Sequence, residues 1–143
     1  MTSKLKSLGE YVYDSVEGYQ AASEKAEDPR LTQAFAQRLS KRQQTLNQIN
    51  SAIVQQGGKE VTGGSTLGTF HEMWTRLTSA LDKGDEAIVE RVEEGEDFLK
   101  ERFEEALKDD DLTAQDRQVI SQCLEEVAQG EFFSDQLEAQ YDN

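Results

Sequence analysis

The stretch Leu31 to Val54 has the spacing of an amphipathic helix, but two arginines stand where its core face should be apolar. At about 100° per residue, Leu31, Phe35, Leu39, Leu46, Ile49 and Ile53 fall on one stripe, and Arg38 and Arg42 fall inside it. A buried guanidinium is costly unless carboxylates meet it. Any fold built on this helix must therefore bring inward carboxylates from its neighbours. Three interiors satisfy that demand: a metal site, a ligand site, or ion pairs closed on themselves.

The neighbours are also helical. Residues 4–27 carry Leu5, Leu8, Val12, Tyr19, Ala22 and Ala26 at bundle spacing. Pro29, the single proline, breaks this helix after Asp28 and opens the next at its favoured first position. So short a break makes the pair an antiparallel hairpin. A glycine-rich loop, QGGKEVTGGST, follows, with Ser65 or Thr66 placed to cap the next segment. Leu67, Phe70, Trp74, Leu77 and Leu81 then predict a helix over 67–81, ended by Lys83-Gly84. Asp85 is placed to cap a further helix with Ile88, Val92, Gly95, Leu99, Phe103 and Ala106 inward. KDDDL forms a turn. Thr113 caps a last helix, about 114–141, with Ile120, Cys123, Leu124, Val127, Leu137 and Tyr141 as its stripe. The expected fold is all-α: one domain over 1–143, a ferritin-like four-helix bundle of two helical hairpins. A long crossover, about 56–84 and containing an extra helix, joins them.

Charge narrows the function classes. Twenty-nine acids against 15 bases leave a net charge of −14. Such a chain repels nucleic acid and anionic membranes, and its acidic helical faces favour solubility. No apolar run approaches membrane-span length, and one cysteine, Cys123, cannot make an internal disulfide. A cytoplasmic protein is expected.

Five pieces carry a resemblance: DSVEGYQAA (14–22), DPRL (28–31), LGTFHEMWTRL (67–77), EEGED (93–97) and ERFEEAL (101–107). With them the chain resembles a bacterial family of uncharacterised ferritin-like four-helix bundle proteins, a domain-of-unknown-function group. The resemblance implies the bundle fold. It also implies kinship with a superfamily that includes stress-related proteins and di-metal carboxylate enzymes. It sets Glu131 where the family pattern has a histidine.

The residues assemble no catalytic set. A di-iron bundle takes a Glu from two helices and Glu-x-x-His from the other two. No Glu-x-x-His occurs, and the lone histidine, His71, falls in the crossover about 110° from its stripe. Arg38 and Arg42 occupy the second helix where ligands would sit, and cations there repel a metal. Glu96 lies about 40° from its stripe and Glu131 about 60° from its own, so both can reach inward. The expected site is a buried ion-pair cluster of Arg38, Arg42, Glu96 and Glu131. In it Arg42 pairs with Glu96, and Glu131 lies near Arg38 or Arg42. No cofactor is favoured; iron or manganese held by Glu96, Glu131, Glu17 or His71 is the alternative. Glu17 sits about 170° from its stripe, on a solvent face with Glu10, Asp14 and Glu24. Trp74 is a packing anchor, and Cys123 a small core residue.

Phe132 and Phe133 are adjacent, so both cannot face the core. At least one is left exposed or packed against the crossover or another subunit, which suggests a homodimer. The function expected is that of a non-catalytic bundle protein acting through self-association or a protein partner, stress-associated if the resemblance carries that far. The alternative is a ferritin-like carboxylate protein that binds or oxidises metal.

Overall fold

The computed structural model describes residues 3–64 and 76–141. Four long helices account for most of them: α1, Ser3–Lys25; α2, Pro29–Gln55; α3, Asp85–Ala106; and α4, Ala114–Tyr141. A short helical stretch, 76–80, precedes α3. Helix α1 packs on α2 and α3 on α4, and the two hairpins meet through α2–α4 and α1–α3. Leu77 is buried in the apolar cluster that holds Tyr19, Leu31 and Ile88, and Leu81, partly buried, packs against that cluster. Ser65, Thr66, Leu67, Phe70, His71 and Trp74, with what was expected of each, lie outside the described residues.

Local chemistry sets the helix ends. Asp28 caps α2, its Oδ1 accepting from the Arg30 amide at 2.9 Å, with Pro29 in the first turn. Thr113 Oγ1 accepts from the Asp116 amide at 3.1 Å, capping α4. Asp85 departs from expectation. Gly84, at φ 104°, is the N-cap of α3 and makes no side-chain cap bond. The Asp85 carboxylate instead accepts the backbone amides of Glu27 and Asp28 at 2.8 and 2.9 Å, tying the α1–α2 turn to the foot of α3.

The loop after α2 is strapped to the bundle. The Asn50 side chain takes the Val61 amide at 2.7 Å and donates to the Val61 carbonyl at 3.3 Å. That seats Val61 on Ile49 and Gly9, where a Cβ on Gly9 would stand 2.9 Å from Val61 Cγ2. Farther along, Gly64 rides over the Asp14 carboxylate so closely that a Cβ there would overlap it. Asp14 is therefore buried, not on the solvent face with Glu17. An angular count on an isolated helix does not see a loop folding back over its flank. Gly95 is also off the packed face: a Cβ there would meet nothing within 4 Å, and its neighbour Glu96 is buried instead.

The apolar interior is in two parts. One cluster gathers Leu5, Leu8, Val12, Ile49, Ile53, Leu99, Phe103, Ile120, Cys123 and Val127. The other gathers Tyr19, Ala22, Leu31, Phe35, Ile88, Val89 and Val92. Between them lies a polar layer.

Candidate functional site

Every helix contributes to that layer. Arg42 of α2 is fully buried and grips Glu96 of α3 by two parallel bonds, Nη1 to Oε1 and Nη2 to Oε2, each 2.7 Å. Its Nε donates to Glu126 Oε1 of α4 at 2.9 Å, and Nη1 also donates to Ser15 Oγ of α1 at 3.1 Å. This forked geometry is what a guanidinium offers and an ammonium does not. Arg38, one turn earlier on α2, donates from Nη2 to the Glu126 carbonyl at 3.0 Å and to Glu126 Oε2. Thr45 Oγ1 donates to Glu126 Oε1 at 2.7 Å. Two arginines and two glutamates balance in charge, and the Tyr19 ring lies 5.5 Å from the Arg42 guanidinium carbon.

The electrostatics follow from burial and pairing. Burial alone would push the Glu126 carboxyl up. Arg42, by charge and hydrogen bond, with Thr45 and Arg38, outweighs it and holds the carboxyl below its ordinary value. Burial would lower the basicity of Arg42, but Glu96 and Glu126 raise it well above the ordinary. Tyr19 is pushed well up, first by burial and then by the charge of Glu96. Arg42 and Glu126 are thus each stabilised in the charged form by their neighbours.

Room for the layer comes from Gly130 on α4. A Cβ there would overlap Glu96 Oε2 and stand 2.6 Å from Arg42 Nη2 and 3.2 Å from Arg38 Nη2. The missing side chain is the notch into which the pair fits.

The structure brings Arg38, Arg42 and Glu96 together and leaves out Glu131. The carboxylate that completes the cluster is Glu126, and Glu131 sits 3.5 Å from Lys100 of α3 instead. Five residues separate the two glutamates, roughly 140° on a helix. They lie on opposite flanks of the α4 stripe, Glu126 toward α2 and Glu131 toward α3. Proximity to the stripe does not say which flank meets which neighbour. Gly130 and Ser134, both buried and spaced from Val127 at helical period, were the overlooked signal. They mark a run of small inward residues on α4 opposite the arginines.

The other candidates are dispersed. Glu17 is exposed on α1. Cys123 is buried, 3.8 Å from Gln48 Oε1, and its thiol is pushed up to about 12 by burial and then by Glu126. Phe132 is 63% exposed. Phe133 turns in, edge-on to Phe35 with ring centroids 6.4 Å apart. Glu93, Asp97 and Asp135 bring carboxylate oxygens within 4.8 Å of one another at the α3–α4 seam. There burial, then the hydrogen bond and charge of Asp97, push the Glu93 carboxyl up to about 8. No helix among the described residues is long and apolar enough to cross a membrane.

Comparison with curated proteins gives no match, and neither does comparison with solved structures. A family profile matches residues 1–109, from α1 through α3, a span that holds Arg38, Arg42 and Glu96 and stops before α4. The chain belongs to the family described as domain of unknown function DUF2383.

Proposed function

We propose that this is a non-catalytic helical-bundle protein of the ferritin-like type, in the cytoplasm, that acts through self-association or a protein partner. The observation that carries this reading is the engagement of Glu96. In a ferritin-like di-metal protein, carboxylates from the four helices converge on metal at the bundle centre. Here the two carboxylates of the central layer, Glu96 and Glu126, converge on Arg42 and Arg38. A divalent ion entering that layer would meet two guanidinium charges and would have to displace them. The layer fits a role in fixing helix register between two apolar clusters better than a role in binding. A stress-associated setting rests on the resemblance to ferritin-like proteins alone.

The alternative, a carboxylate metal-binding or metal-oxidising protein, requires Glu96 to leave Arg42. The two readings separate by metal content. Protein purified without chelator or affinity tag, then titrated with iron and manganese, is expected to hold no stoichiometric metal and to melt at an unchanged temperature. Stoichiometric metal that disappears in Glu96→Gln would replace this reading with the alternative.

A further inference from the structure

Acidic and basic residues are not spread evenly over this bundle. Every exposed position on α3 is a glutamate: Glu86, Glu90, Glu101, Glu104 and Glu105. Helix α2 contains no acid along its 27 residues. Its outward stripe, Gln37, Ser40, Gln44, Asn47, Ser51 and Val54, is exposed, uncharged and spaced three and four apart, with one exposed charge, Lys41, beside it. That is the spacing of a helix–helix seam, presented to solvent. Val54, 54% exposed, is one of two large hydrophobic residues exposed among the described residues. The neighbouring helix α4 adds exposed Gln118, Gln122 and Gln129, with one acid, exposed Glu125, in the same row.

The relief of this face suits a helix. A groove of about 380 Å³ runs on the α4 side of α2, lined by Gln44, Gln48, Ala52, Val119 and Gln122 among others. A second, of about 430 Å³, lies on the loop side, lined by Asn50, Val54, Gln55 and Glu60 among others. Asn47, Ser51 and Gln55 line both, so they form a ridge between two grooves. Ridges seated in grooves are how helices pack.

We propose that this α2 face is where a second copy of the chain docks, two α2 helices crossing about a two-fold axis near Gln44 and Asn47. The inference rests on the self-association part of the function proposed above and names its surface. Charge selects the occupant. Two copies at −14 each repel. Contact through α3 would set glutamate against glutamate, whereas contact through the α2 stripe sets amide against amide. A side-chain amide is both donor and acceptor, so it complements its own copy in an isologous contact.

The experiment is sedimentation equilibrium of the full chain over about 5–500 µM, at low and high salt, paired with disulfide capture. Cys123 is buried and serves as a silent background. The expected result is a dimer that strengthens with salt, because screening removes the residual repulsion between copies. Asn47→Glu is expected to weaken it at least tenfold with an unchanged circular dichroism spectrum. Gln44→Cys or Asn47→Cys is expected to give a covalent dimer on oxidation, and Glu104→Cys none. A dimer that ignores Asn47→Glu and is captured through Glu104→Cys or Phe132→Cys would overturn the α2 face and leave self-association standing. A dimer that weakens with salt would point to α2 against the glutamates of α3 and would also overturn the two-fold contact. A monomer at every concentration would overturn the face together with self-association, leaving only the partner-binding part of the proposed function.

Discussion

Gly130 lies so close beneath Arg42 that a Cβ on it would stand 2.6 Å from Nη2, while the same guanidinium is held in place by two bonds to Glu96. Gly95, on α3, faces open space. Alanine in a helix interior, where its Cβ meets nothing, is worth about 1 kcal/mol over glycine. Gly95→Ala should therefore stabilise the protein by about that amount. At Gly130 the same gain is opposed by overpacking against a locked ion pair, which costs about 1–3 kcal/mol, so Gly130→Ala should lose stability. Urea unfolding of the two variants is expected to move in opposite directions. A stabilised Gly130→Ala would show that the arginine layer yields freely.

Arg42 is the counter-ion of Glu96 and also braces Glu126. Arg42→Met leaves Glu96 buried without its cation, and breaking a buried pair in this way costs about 3–5 kcal/mol. Replacing both partners removes the stranded charge. The double variant Arg42→Met with Glu96→Leu should therefore be more stable than Arg42→Met alone. The measurement is a double-mutant cycle by urea unfolding. Additive losses would mean that the two side chains are solvated separately in solution.

Periodicity made the four helices legible because each has an apolar stripe and breaks set them apart: Pro29, the glycines of the loop, Gly84 and the KDDDL turn. Arg38, Arg42 and Glu96 were legible for the same reason, as charges standing on or near a stripe. Glu126 was not, because it flanks its stripe and only the packing of α4 against α2 turns that flank inward. Asp14 and Asp85 were misjudged for a related reason. Each meets a segment distant in the chain, Gly64 for one and the amides of Glu27 and Asp28 for the other. Helical periodicity reports a residue's face and carries nothing about which neighbour covers it.

Cys123 sits in the larger apolar cluster, and burial, with Glu126 nearby, pushes its thiol up to about 12. Thiolate is the reactive form, so neither ionisation nor access favours reaction in the native state. Modification by a thiol reagent at pH 8 should proceed only as fast as the chain unfolds, and mild urea should accelerate it steeply. Rapid labelling of native protein would show that the α2–α4 seam opens locally.

Glu93 should set the pH dependence of stability near neutrality. Burial, then Asp97, with Glu138 and Asp135 adding charge, push its carboxyl up to about 8. An unfolded glutamate titrates near about 4.3. Between those values the native state holds a proton that the unfolded state has released, so stability falls as pH rises and levels off above about 8. Glu126 works the other way. Its folded value is depressed, so the stability it confers is present above the unfolded value and is lost only as acid passes below that value. The two windows do not overlap, which lets one titration separate them. Melting temperature should climb as the pH is lowered from about 8.5 toward 5, then drop in stronger acid. Glu93→Gln should flatten the first limb and raise stability at pH 8.5, leaving the acid limb unchanged. The α3–α4 seam is partly open to water, so salt should shallow the first limb as well. A wild-type profile that is flat from pH 5 to 8.5 would show that the Glu93 carboxyl is not raised in the folded protein.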